Sequence, residues 1–212
     1  AIKNNQLYIK VPSGFQPRAA IGYSISLLML ILNKFKIIEN NLIQKIENSL
    51  PLIEKQNNQL STLNNHNESI VLAENIYNKF VIIYIDNHLE SIALRFRCQL
   101  AENAKILSSH FIFPEQNHNE IEAFGKSCKK DLAIVWIHTN NDYEKIKDRM
   151  IITSRILESI NNQYNIEKTE SNNIQNILIL INFFDWVSYY CAIYNKIDPT
   201  PVNVIKKLKS II

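Results

Sequence analysis

Two short runs constrain this chain more than anything else in it. "KFVIIYIDN" (79–87) and "DLAIVWIHT" (131–139) are continuous, β-branched and apolar. A strand with one wet face alternates apolar and polar residues, and these two do not. Runs of this kind are buried on both faces, as in a parallel sheet covered by helices on either side.

The segments around them fit that reading. "LYIKVP" (7–12) alternates and ends at a proline, as a short strand would. Pro17 opens an apolar helix that runs to about Phe35. Because it is apolar on nearly every side, it is expected inside the fold or at a subunit interface. Ile38, Leu42, Ile43, Ile46 and Leu50 recur at helical spacing, and Pro51 marks a break or kink. "LESIALRFRCQLAENAK" (89–105) has one apolar helical face, and "HFIFPE" (110–115) reads as a strand. "DYEKIKDRMIITSRILESI" (142–160) is an amphipathic helix with Asp142 as N-cap or in its first turn. "YNIEKTE" reads as a weak strand, residues 173–196 as a second very apolar helix, and the end as a turn with a helix starting near Pro201. Helix–strand alternation predicts an α/β fold with ligands at the carboxyl ends of the strands. No internal repeat or linker divides residues 1–212, so one domain is expected.

Composition narrows the classes. With 46% hydrophobic and 20% charged residues among 212, the chain is globular in type. The net charge of +3 and the lysines scattered among glutamates argue against nucleic acid as a partner. The apolar run between Arg18 and Lys34 falls short of the ~20 residues that span a bilayer, so no membrane segment and no signal peptide are expected. Cys98, Cys128 and Cys191 form no CxxC or zinc pattern and are read as reduced packing residues of a cytoplasmic protein. No phosphate loop, dinucleotide fingerprint, GxSxG elbow or HExxH is present.

The chemistry must come from scattered polar residues. "PSGFQPRAAIGYS" (12–24) concentrates two of the three glycines around Arg18. Gly14 turns the chain, Pro17 starts the helix, and Gly22 allows another backbone to come close. Arg18 at the mouth of the helix suits a phosphate or a developing oxyanion, or caps a loop. Glu102 and Lys105 stand at a helix C-terminus, where the dipole disfavours a carboxylate. Glu102 is thus either a general base for a carbon acid or an exposed acid. His118, in an Asn-rich turn after a strand, is either a catalytic group or a surface histidine. His66, His88, His110 and His138 are read as structural. Asp185, Trp186 and Ser188 in the last apolar helix are read as satisfied core polar groups.

Four stretches in order, "PSGFQPRAAIGYS", "ALRFRCQLAENAK", "PEQNHNEIEAF" and "DWVSYYCAIYNKIDPTPVNVIKKLK", resemble the bifunctional phosphoglucose/phosphomannose isomerases, in particular their C-terminal half. The resemblance runs from about Leu7 to the end. It implies a sugar-isomerase (SIS) domain: a flavodoxin-like, three-layer α/β/α sandwich with a mainly parallel five-stranded sheet. It also implies that the first of the family's two SIS domains, with its Ser/Thr-rich phosphate loop, is not part of this chain. The implied activity interconverts glucose 6-phosphate or mannose 6-phosphate with fructose 6-phosphate through a cis-enediol, with no metal or other cofactor. Glu102 is then the base, Arg18 stabilises the enediolate, and His118 helps open the ring in the neighbouring subunit's site. A C-terminal lysine assists, Lys209 by its "IxxLK" setting or Lys207 as the alternative, and Thr200 is tied to tolerance of both C2 epimers. The implied partners are a sugar phosphate, the N-terminal SIS domain and a second copy in a homodimer. A non-catalytic sugar-phosphate-binding or dimerisation module is the alternative.

Overall fold

The computed structural model describes residues 8–124, 131–160 and 162–212. The chain divides into a first unit ending at Glu47 and a second, Asn48–Ile212. Each is described by itself.

In the first unit, residues 8–12 form no strand and are exposed, which corrects the expected N-terminal strand; Leu7 lies outside the described residues. Gly14 has φ +97, a backbone region open to glycine, so the turn out of this segment needs it. Pro17–Ala19 make one 3-10 turn, followed by helix α1 (Ile21–Lys34) and helix α2 (Asn40–Glu47). No residue of α1 is buried, and Leu28 and Leu30 are 50% and 56% exposed. The first unit by itself does not enclose this helix, because two short helices cannot; a subunit interface is the other place expected for it. Gly22 also differs from expectation: a Cβ added there would meet nothing within 4 Å.

The second unit is built on four parallel strands, β1 (Phe80–Asp86), β2 (Ser108–Phe113), β3 (Leu132–Thr139) and β4 (Gln163–Lys168), in the order β2-β1-β3-β4. The expected parallel α/β sheet is present, with four strands among the described residues instead of five. Along β1 and β3 the side chains alternate between two cores. Val81, Ile83, Ile85, Val135 and Ile137 face one, while Ile82, Tyr84, Ile134 and Trp136 face the other. This is why both runs read as continuously apolar.

Helices α3 (Leu50–Leu60), α4 (Glu68–Ile76), α5 (Glu90–Gln99) and α7 (Asn173–Tyr194) supply the first core, with α7 packed on α3, α4 and α5. Helix α6 (Glu144–Ile156) and Phe124 supply the second. Pro51 falls in the first turn of α3, and the chain breaks between α2 and α3 as expected. Helix α7 is long and apolar enough to cross a membrane by composition, but Leu180, Phe183, Phe184 and Val187 are spent on the first core. Asp142 does not cap α6. Its carboxylate accepts from the Thr139 N–H at 2.9 Å and hydroxyl at 2.6 Å, closing the turn after β3, and Tyr143 takes the N-cap position. Cys191 is buried, and burial pushes its thiol pKa up. Cys98 is exposed, so it is no packing residue; Cys128 lies outside the described residues.

Candidate active site

After Gln99 the α5 helix widens. Leu100–Ala104 form a π-helical turn, and Lys105 ends it in the left-handed region at φ 59. Insertions of this kind interrupt the i→i+4 ladder and collect at functional sites. A non-glycine residue there is held against its own preference by its surroundings. The surroundings here are specific. The Lys105 ammonium donates to the Glu102 carbonyl and, at 2.8 Å, to the Pro201 carbonyl. Asn103 Nδ2 donates to Ser188 Oγ at 2.9 Å, and Asn195 Nδ2 to the Ala104 carbonyl at 3.1 Å. One turn earlier, Arg95 and Gln99 donate to the two oxygens of Asp185 at 2.6 and 2.8 Å. Ser188 is thus a satisfied buried group, as expected, whereas Asp185 is paired but half-buried and not in the core; together they seat the turn that carries Glu102.

Glu102 is half-buried and opens into a cleft of about 640 Å³. Its far wall is Asp198, Pro201 and Val202, followed by Asn203–Ile205 at the start of helix α8 (Asn203–Lys209). Asp198 closes an Asx turn: the Thr200 N–H donates to its Oδ1 at 2.8 Å. That backbone bond, then the Thr200 hydroxyl, hold the exposed Asp198 carboxyl below its ordinary pKa. The structure therefore brings Glu102 together with the "DPTP" turn that contains Thr200. Lys207 and Lys209 are exposed on α8, one helical step of four from the cleft residues Asn203 and Ile205 respectively.

His118 is elsewhere. It is exposed on a 3-10 turn (Glu115–His118) after β2, and it does not line the Glu102 cleft. That segment belongs to the other face of the sheet. Asn117 Nδ2 bonds to Thr153 Oγ1 of α6 at 2.9 Å, and Tyr84 bonds to Glu120 at 3.0 Å. The π turn packs on α5 and α7, so the sheet lies between Glu102 and His118. Arg18 lies in the first unit, in the turn that enters α1, with Gln16 extended before it.

The carboxyl ends of the strands, expected to hold the site, carry another group. The chain leaves β1 toward β2 and β3 toward β4, so the switch point lies between β1 and β3. There His88 Nδ1 is 3.4 Å from Asp86 Oδ1, and its Nε2 is 3.8 Å from Asp142 Oδ1. These three side chains are close enough to share a cation. The ring, however, turns a different nitrogen to each carboxylate, which suits a bridge between two loops better than one vertex of a metal polyhedron.

A parallel sheet between two helical layers is the arrangement of a sugar-isomerase type domain. A glucose-6-phosphate isomerase like protein from Thermus thermophilus shares the fold, with TM-score 0.61 at 18% identity over 82% of this chain and 57% of its own. Residues 65–212 match the description of the bacterial phospho-glucose isomerase C-terminal SIS domain, and the chain belongs to that family. Over 95% of its length it is 32% identical to the bifunctional phosphoglucose/phosphomannose isomerases of Caldicellulosiruptor bescii and of Thermoplasma acidophilum. It spans 61% of the length of each.

What the sequence does not disclose is the support around Glu102. Lys105 reads there as a helix-end residue and no more, and Asn103 and Asn195 do not stand out because asparagine is abundant throughout the chain. The motif letters themselves carry the signal: three of the four residues of "ENAK" hold the turn, and the fourth, Glu102, presents its side chain to the cleft.

Proposed function

We propose that this chain supplies the proton-transfer half of an aldose–ketose isomerase acting on glucose 6-phosphate, mannose 6-phosphate and fructose 6-phosphate. The Glu102 carboxylate removes the proton from C2 of the opened aldose, and the electron pair moves to give a cis-enediolate with its charge on O1. Arg18 is the cation for that oxygen. A proton then passes from the O2 hydroxyl to O1, and the proton on Glu102 is delivered to C1 as the O2 electron pair closes the C2 carbonyl, which leaves the ketose. Lys209, or Lys207 beside it, assists ring opening from α8, and Thr200, in the turn whose Asp198 and Pro201 line the cleft, is the hydroxyl tied to tolerance of either epimer. His118 serves ring opening in the site of a second copy, a role supported by its place on the far face of the sheet from Glu102. The phosphate is anchored by an N-terminal SIS domain.

The observation that carries this reading is the seating of Glu102 on a π turn, pinned from α7 and the "DPTP" turn, at the wall of a cleft of about 640 Å³. A module that only bound sugar phosphate or only dimerised would have no need of so fixed a carboxylate. The test is Glu102→Gln in the chain joined to its N-terminal SIS domain, with fructose 6-phosphate in a coupled assay. Turnover is expected to fall by more than about a thousandfold with KM little changed. Retention of isomerisation within about tenfold removes Glu102 as the base.

A further inference from the structure

The stretch Asn117-His118-Asn119-Glu120 assigns a different task to each of its residues. Asn117 reaches across to α6, where its amide donates to Thr153 Oγ1 at 2.9 Å. Asn119 works within the turn: its Oδ1 accepts from the Glu120 N–H, and its Nδ2 donates to Glu115 Oε1 at 3.0 Å. Glu120 reaches down to the sheet, where Oε1 accepts from the Tyr84 hydroxyl at 3.0 Å. Tyr84 is fully buried in β1, with Trp136 at 4.7 Å and Phe113 at 5.8 Å between ring centroids, so this anchor is packed into the second core. His118 alone of the four projects to solvent without a side-chain bond to the described residues.

Glu120 is costly where it stands. Its Oε2 is buried without a hydrogen-bond partner among the described residues, and burial raises its pKa despite the Tyr84 bond. A residue kept for stability alone would not be a half-buried carboxyl with one oxygen unsatisfied. Its one gain is to fix the backbone two residues beyond His118, as Asn117 fixes it one residue before.

We propose that Asn117 and Glu120 are positioning residues for His118: two anchors, one to α6 and one to β1, that hold the histidine's backbone rigid while leaving its ring able to enter a site outside its own sheet face. The consequence for turnover rests on the reading of His118 as a ring-opening group; the ordering itself does not.

The experiment measures 15N backbone order parameters over residues 115–122 of the 212-residue chain, with its melting temperature alongside. In the unmodified chain, order parameters near about 0.85 are expected. Glu120→Ala should bring residues 117–119 below about 0.6, and Glu120→Gln, which still accepts from Tyr84, should restore most of the order. If Glu120→Ala does not fold, Tyr84→Phe removes the same bond from the other side and keeps the ring packing. Unchanged order in Glu120→Ala, or in Tyr84→Phe where that variant stands in, overturns the proposal, as does failure of Glu120→Gln to recover it. In the chain joined to its N-terminal domain, Glu120→Ala should lower kcat by about 10- to 100-fold with KM within about twofold. A His118→Ala variant run beside it separates the two ideas: if His118→Ala keeps full activity, the role of His118 fails while the order parameters still judge the anchors.

Discussion

His138 sits at the carboxyl end of β3, 6% exposed, beside Glu167 of β4 in the sheet register. Burial pushes its pKa down more than the nearby Asp142 and Glu167 carboxylates push it up. In the unfolded chain an imidazole titrates near about 6.5. Below that pH the unfolded state binds the proton more readily than the folded one, so protonation favours unfolding. The stability linked to neutral His138 is therefore complete above about pH 6.5 and is lost as pH falls below it toward the folded pKa. Urea unfolding at about pH 7.5, above that window, and at about pH 5.5, below its upper edge, is expected to show a drop that His138→Gln reduces. An equal drop in both proteins refutes the assignment. Reading His138 as structural agrees with its burial. The sequence does not separate His118 from an ordinary surface histidine except through the surrounding motif, because exposure and a loop setting are common to both.

At the level of elements, α5 and α7 are locked together by polar groups inside an apolar contact. Asp185 accepts from Arg95 and Gln99 together. Asp185→Ala removes the acceptor that both donors share and is expected to cost about 2–3 kcal/mol, a fall in Tm of roughly 5–10 °C. Asp185→Asn, which still accepts one bond, should cost less than half of that; a neutral Asp185→Ala in calorimetry contradicts the lock. Most elements are legible in the sequence, since the runs of β1 and β3 and the faces of α5 and α6 have clear periods. Helix α4 is not. Its start is marked by Asn67, whose side chain caps the Ser69 and Ile70 N–H groups, but a chain crowded with asparagine hides that signal. The strand expected at 7–12 shows the opposite error: alternation supplies a face but no partner, and residues 8–12 pair with no strand among the described residues.

For the whole molecule, the roles proposed for Glu102 and His118, which have the sheet between them, would make the reaction a property of two copies. Homodimers of Glu102→Gln and of His118→Ala, each joined to the N-terminal domain, should be nearly inactive alone. After subunit exchange, a mixed dimer holds one site with both defects and one with neither, so roughly half the activity of an unmodified dimer returns per mixed dimer. If Glu102 and His118 served the same site within one chain, mixing would restore nothing. The exposed α1 helix belongs to this scale too: its apolar run is legible, and its lack of cover within the first unit is not, since burial depends on what a helix meets.

The π turn that carries Glu102 is fastened to α7, the most deeply packed helix of the domain, whereas the His118 turn sits at the edge of the smaller core, tied to it by side-chain bonds to Thr153 and Tyr84. These two parts of the chain therefore answer differently to heat. The seat of Glu102 cannot open without dismantling the core, so its loss coincides with global unfolding. The histidine turn can come loose while the core is intact. With the roles proposed for Glu102 and His118, warming first removes ring opening and spares proton transfer, leaving for a few degrees a catalyst that accepts only sugars already in their open-chain form.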